Sequence, residues 1–239
     1  MQKRNSVKMN KLVVATYNIH SCIGSDKSYD PLRIASVINK INPDIIGLQE
    51  VDTGYRINEK VHQVSILENK TGLKSIPGPT IKKSTGFYGN IILTSRPYEQ
   101  VYSQDISQTG FEPRGILQVD FNINKLKVSF ITTHFGLKRK ERYAQASCLL
   151  SHIEQINSDI TIVSGDLNIW CPLDKTSKSM NNRLGESPRK PSFPSRHPIL
   201  ALDRIWIIPE SRLIRIYALN ISSTRMASDH LPVIAEIEL

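Results

Sequence analysis

The sequence predicts a single α/β domain in which strands outnumber helices. Leu12 to Gln49 reads as strand, helix and strand in succession, the unit from which α/β folds are built. From Leu73 to Phe135 one strand pattern follows another. Ile160-Thr-Ile-Val163 is an apolar, β-branched run stopped by Ser164 and Gly165, which marks a short buried strand. No internal repeat and no linker divides the 239 residues.

Taken in order, Leu12 to Tyr17 is the first strand, and Asp30-Pro31 opens a helix, with Asp30 as N-cap and Pro31 at the first helical position. Ile34, Val37, Ile38 and Ile41 recur at helical spacing until Asn42-Pro43 ends the run. Asp44 to Gln49 is the second strand, with Glu50 at its end. Val61 to Asn69 has the pattern of an amphipathic helix. Gly89–Thr94, Gln100–Ile106, Gly115–Ile123 and Leu126–Thr133 are the best strand candidates of the middle section, and Asn122 to Lys125 reads as a hairpin turn. Arg139 to Ile156 predicts a helix with Ala146, Leu149, Leu150 and Ile153 on one face. After the strand at Ile160, residues 174–198 are rich in Ser, Pro, Asn and basic side chains, which predicts a long basic surface loop. Leu202–Ile208, Leu213–Ala218 and Leu231–Ile237 close the chain as strands.

Composition narrows the partners. Lys and Arg number 31 against 22 acidic residues, a net charge of +9, which suits a polyanionic partner such as nucleic acid, an anionic membrane surface or a phosphorylated small molecule. A basic surface that only keeps the protein soluble is the plain alternative. Cys22, Cys148 and Cys171 are odd in number and far apart, so neither a disulfide framework nor a zinc site is expected. Leu12 to Ala15, after the basic and polar Met1–Lys11 segment, is too short for a signal core or a membrane span. The expectation is a cytoplasmic protein, monomeric and without stable membrane insertion.

Polar groups recur where apolar runs begin or end: Asn18, Glu50, His134, Asp166, Asn168, Asp203, Asp229 and His230. Each has an ordinary explanation alone, such as an Asx turn at Asp166 or an ion pair of Asp203 with Arg204. Together they describe a chemistry. Glu50 and Asp229 suit a hard divalent cation, Mg²⁺ or Mn²⁺. Asp166 suits a group that orients or deprotonates water, and Asn168 can hydrogen-bond phosphate without adding charge. His230 held by Asp203 would keep one tautomer and donate to a phosphate oxygen. The set points to metal-assisted hydrolysis of a phosphoester.

Six segments in order resemble the endonuclease/exonuclease/phosphatase superfamily, the DNase I-like fold. They are Thr16-Tyr-Asn-Ile-His20, Gly47-Leu-Gln-Glu-Val-Asp52, Thr132-Thr-His-Phe135, Ser164-Gly-Asp-Leu-Asn168, Leu202-Asp-Arg-Ile205 and Ser228-Asp-His-Leu-Pro232. The resemblance implies a four-layer sandwich of two mixed β-sheets flanked by helices, with the site at one end. It implies Glu50, Asn18 and Asp229 at or beside the metal, and Asp166 and Asn168 handling water and phosphate. It also implies an Asp203–His230 pair, and His134 at phosphate or leaving group. Arg114 and Arg142 sit beside motifs, where a phosphate contact and a packing role are both open. The His134 form resembles DNase I-type nucleases, sphingomyelinases and uncharacterised bacterial members rather than the abasic-site branch.

Three functions follow for comparison. The leading one is a nuclease-type phosphodiesterase. The second is a hydrolase of phospholipid headgroups or small phosphomonoesters. The third, an inactive binding module, would be expected to lose the metal and water-handling residues that this chain keeps.

Overall fold

The computed structural model describes residues 11–54, 63–171 and 173–239. The basic stretch before Lys11, and Val61 and His62 at the start of the second expected helix, lie outside the described residues.

Two mixed sheets carry the fold. The first contains β1 (Lys11–Asn18), β2 (Ile45–Asp52), β3 (Lys74–Lys83), β4 (Gly86–Thr94), β10 (Leu213–Ala218) and β11 (Val233–Glu238), in the order β10-β11-β1-β2-β4-β3. The second contains β5 (Gln100–Asp105), β6 (Gly115–Ile123), β7 (Leu126–His134), β8 (Ile160–Asp166) and β9 (Asp203–Ile208), in chain order. Each has one parallel pair, β1 with β2 and β7 with β8. Between the sheets lies a core that includes Leu12, Ile92, Leu117, Phe130, Ile162 and Ile237. α1 (Pro31–Ile41) and α2 (Gln63–Thr71) cover the outer face of the first sheet, through Ile34, Ile38 and Leu67 against Ile46 and Leu48. α3 (Arg139–Ile153) and α4 (Lys175–Leu184) cover the second, through Leu149 and Met180 against Val163 and Trp206. A short α5 (Ser222–Ala227) precedes β11. This is the four-layer sandwich.

Local chemistry accounts for the boundaries. Asp30 Oδ1 accepts from Leu32 N at 2.9 Å and starts α1, and Asn42 ends it in a left-handed conformation at φ 49°. Asn124 and Lys125, both at positive φ, form the two-residue hairpin turn between β6 and β7. β3 carries Pro77 and Pro79, which its place at a sheet edge tolerates because an edge strand has one row of amides unpaired. Those prolines kept it from standing among the best strand candidates of the Leu73–Phe135 section.

Residues 174–198 correct the expectation of a surface loop. Asp174 caps α4 by accepting from Thr176 N at 2.8 Å, and Thr176, Met180 and Leu184 form a buried stripe at four-residue spacing. After Gly185 the chain runs inward, burying Ser187, Ser192 and Ser195.

The sheets meet closely near one end. A Cβ on Gly47 of β2 would lie 2.5 Å from Thr132 Oγ1 of β7, so glycine is required there. Beside it Gln49 crosses the gap and donates to Thr132 Oγ1 at 2.8 Å, while accepting from Thr16 Oγ1 at 3.2 Å. The contact fixes the end of β2 against the end of β7.

Candidate active site

The parallel pairs aim the C-termini of β1, β2, β7 and β8 at one end of the sandwich. Strand register does the rest in the second sheet: His134 stands opposite Asp166, and Asp166 opposite Asp203, so three site residues form a row across β7, β8 and β9. Gly165 makes the approach feasible. Its φ is +146°, and a Cβ there would meet Thr133 O at 1.9 Å. Glu50 comes from the first sheet. The β2–β4 register shifts between Leu48 and Val51, and Glu50 takes φ +57°, turning it out of the strand alternation.

Asp166 is the hub. Its Oδ1 accepts from Asn168 N at 3.0 Å, and its Oδ2 accepts from Asn18 Nδ2, also at 3.0 Å. That same Oδ2 lies 3.7 Å from His134 Nε2 and 3.6 Å from His230 Nε2. Asn18 Nδ2 also donates to Glu50 Oε1 at 2.8 Å, so one amide holds a carboxylate from each sheet. Asn168, left-handed at φ +51°, donates Nδ2 to Phe135 O at 2.9 Å and lies 3.1 Å from His134 Nε2.

The two histidines are held in opposite charge states. His230 Nδ1 meets Asp203 Oδ2 at 2.8 Å. Burial would lower its pKa, but Asp203, Asp166 and the hydrogen bond to Asp203 outweigh burial and bring it up to about 10. Burial pushes His134 down to about 3, with Arg114 and His230 adding to the shift and Asp166 only partly offsetting it. His230 is therefore an imidazolium with Nε2–H toward Asp166, and His134 is neutral.

A pocket of about 300 Å³ opens over these groups, lined by Glu50, Arg114, His134, Asp166, Asn168 and His230. Arg114 pairs with Glu112, and its Nε is buried with no partner among the described residues. The remaining lining is Tyr88, Glu112, Leu137, Trp170, Phe193 and Leu202. Trp170 stands two residues past Asn168. Phe193 packs on His230 with ring centroids 4.8 Å apart.

Two expected residues, Arg142 and Asp229, lie outside the lining, and a third, Asn18, is at the site with its amide turned. Arg142 does not line the pocket: buried in α3, it donates to Leu137 O at 2.5 Å and lies 3.6 Å from Asp174, a packing role. Asp229 is half-exposed outside the lining, 3.7 Å from His20 Nδ1. Asn18 turns its nitrogen to the carboxylates and its oxygen to His20 N at 3.0 Å, so it grips Glu50 rather than offering an oxygen beside it. Asp166, Asp203 and His230 each bring a ligand atom within 4.8 Å of the others, a grouping that could also hold a metal.

Residues 15–230 match the Endonuclease/Exonuclease/phosphatase family. The chain belongs to that family. Members of the endonuclease/exonuclease/phosphatase family are phosphoester hydrolases and generally use divalent metals. The uncharacterized protein YbhP of Escherichia coli K12 is 25% identical over 244 residues, covering 95% of this chain and 96% of its own. A family structure from Bacteroides thetaiotaomicron superposes with TM-score 0.77 at 17% identity, covering 95% of this chain and 94% of that one. A mannosyl-6-phosphatase from the same organism gives 0.75 at 18%, covering 94% and 98%. Truncated Caenorhabditis elegans TDP2 gives 0.70 at 19%, covering 96% and 98%. At these identities the likeness is one of fold. No helix among the described residues is long and apolar enough to cross a membrane.

Proposed function

We propose that this protein is a Mg²⁺- or Mn²⁺-dependent phosphodiesterase. The observation that carries the reading is the position of Asp166 Oδ2, which sits within 3.7 Å of both His134 Nε2 and His230 Nε2 and shares an amide with Glu50. The donor set fits a hard cation, because Glu50 and Asp166 bring carboxylate oxygens to one amide at a pocket mouth. Glu50 would hold the ion. The alternative grouping of Asp166, Asp203 and His230 has already bonded His230 Nδ1 to Asp203 Oδ2, which suits proton handling better than ligation.

The divalent ion, when bound, offsets phosphate charge and favours attack by water. Asp166 orients that water and accepts its proton as the new P–O bond forms; the P–O bond to the leaving alcohol breaks, and the departing oxygen takes up a proton from solvent. His230 donates Nε2–H to a phosphate oxygen, its imidazolium kept by Asp203. Arg114, with an unpartnered Nε, offers a second cation to the phosphate. Asn168 holds His134, and the pair lines the same wall.

A diester suits the pocket better than a monoester. Leu137, Trp170, Phe193 and Leu202 give the lining apolar walls on which the two ester substituents of a diester can rest. Purified protein should hydrolyse bis-p-nitrophenyl phosphate faster than p-nitrophenyl phosphate, stop in excess EDTA and recover with Mg²⁺ or Mn²⁺. Undiminished turnover in excess EDTA would refute the metal.

A further inference from the structure

Among the described residues, the four most exposed large hydrophobic side chains are Ile199 at 76%, Leu173 at 74%, Leu137 at 64% and Trp170 at 55%. Single exposed apolar side chains are ordinary, but a cluster of them is not. These four belong to one place. Leu137 and Trp170 line the mouth of the phosphate pocket, and Trp170 and Ile199 line the hollow beside it. Leu173 adjoins Asp174, and Arg142 ties Asp174 to the Leu137 carbonyl. The buried arginine thus braces two loops of the rim against each other.

Cations surround these tips. Lys138, Arg139 and Lys140 follow Leu137 directly, and Lys175 follows Leu173 at the start of α4, all exposed. Arg139 reaches Asp174 at 3.1 Å, yet its side chain remains 76% exposed. The rim is therefore apolar at its points and basic between them, in a chain of net charge +9.

We propose that this rim docks on an anionic lipid surface and that the phosphodiester cleaved is the headgroup of an amphiphile presented there. The second half rests on the phosphodiesterase reading. The chemistry favours lipid over nucleic acid. Leu137, Leu173 and Ile199 have no ring to stack on a base, whereas single-strand binding surfaces rely on aromatic platforms. A tryptophan with aliphatic neighbours and flanking Lys and Arg is instead the composition of a protein face seated at headgroup level, where the apolar tips enter and the cations meet anionic lipid. The pocket opens at that face, so a headgroup would reach Glu50 and Asp166 without leaving the surface.

The test uses the full chain with vesicles of phosphatidylcholine alone or mixed with phosphatidylglycerol. The protein has two tryptophans, and Trp206 is buried, so a change in emission reports Trp170. Mixed vesicles should shift the emission to the blue and carry the protein in flotation, less so as salt rises. Phosphatidylcholine alone should do neither. Leu173→Ser with Ile199→Ser, both outside the pocket lining, should weaken flotation at least about tenfold. Turnover of bis-p-nitrophenyl phosphate by that variant should stay at the parental rate. No flotation on mixed vesicles, or equal flotation of the variant, would overturn the docking surface. Binding of single-stranded DNA that the double substitution abolishes would overturn the choice of lipid. Flotation with no metal-dependent turnover of bis-p-nitrophenyl phosphate would refute the hydrolase reading and the substrate half of the proposal, leaving the docking half in place.

Discussion

The Ser192 hydroxyl donates to Asp203 Oδ2 at 2.5 Å, the same oxygen that meets His230 Nδ1. The segment holding Ser192 also braces the histidine loop, since Leu231 N donates to Ser192 O at 2.8 Å and Phe193 packs on the His230 ring. Ser192 is a positioning residue for the pair. Ser192→Ala should lower kcat about tenfold, the loss expected from one hydrogen bond to a charged group, with KM little changed. Ser192→Thr should recover most of the rate. Added to Asp203→Asn, the alanine should cost nothing further, because the two act as a unit. Full multiplicative loss in the double variant would separate Ser192 from the pair.

Glu50→Gln keeps the shape of the side chain and removes the charge a cation needs. The metal concentration for half-maximal activity should rise at least about tenfold, with the melting temperature near that of the parent. Asn18→Ala should shift it in the same direction, because Asn18 orients Glu50. Titration calorimetry with Mg²⁺ and Mn²⁺ measures both, and unchanged metal affinity in Glu50→Gln would assign the ion to other residues.

Asp166→Asn removes the proton acceptor at the hub. A fall in kcat of at least about a hundredfold is expected, with substrate binding nearly intact. Single-turnover kinetics against a fixed metal concentration read this directly. A rate near that of the parent would reduce Asp166 to a residue that shapes the turn at Asn168.

The histidines predict opposite pH limbs in metal-free protein. His230 has its pKa raised from 6.5 to about 10, so its stabilisation is complete below pH 6.5 and is lost as pH rises toward 10. His134 is lowered from 6.5 to about 3, so the unfolded chain binds the extra proton between those values and stability falls as pH drops from 6.5 toward 3. Urea midpoints across pH should therefore decline on both sides. His230→Gln should flatten the alkaline limb and also soften the acid one, because His230 helps lower His134; NMR titration of the ring protons should find His230 charged and His134 neutral at pH 7.

Much of this architecture could be read in the sequence because buried strands announce themselves as apolar runs. β1, β2, β8 and β9 each end or begin beside a polar residue that faces the site, so position and role appeared together. The bounds of β3 were blurred by Pro77 and Pro79, and α4 was hidden by a composition in which only Thr176, Met180 and Leu184 carry the helical stripe. The choice between phosphate contact and packing for Arg142 could not be made from the sequence, because its partners Asp174 and the Leu137 carbonyl are fixed only by the fold. The pairings of Ser192 with Asp203 and of Phe193 with His230 could not be read from the sequence, because the partners lie far along the chain.

The second sheet is an uninterrupted stretch of chain from Gln100 to Ile208, whereas the first joins strands from before and after that stretch, with β1 paired to β11. Glu50 and Asn18 belong to the first sheet and the row of His134, Asp166 and Asp203 to the second. During synthesis that stretch can pair with itself early, while β1 waits for β11 to emerge. The reaction centre is then completed only once β11 has been made, and a ribosome-bound chain that stops short of it would carry no activity. Chains stalled before Val233 and assayed in place should be silent, and activity should appear only when translation proceeds past β11.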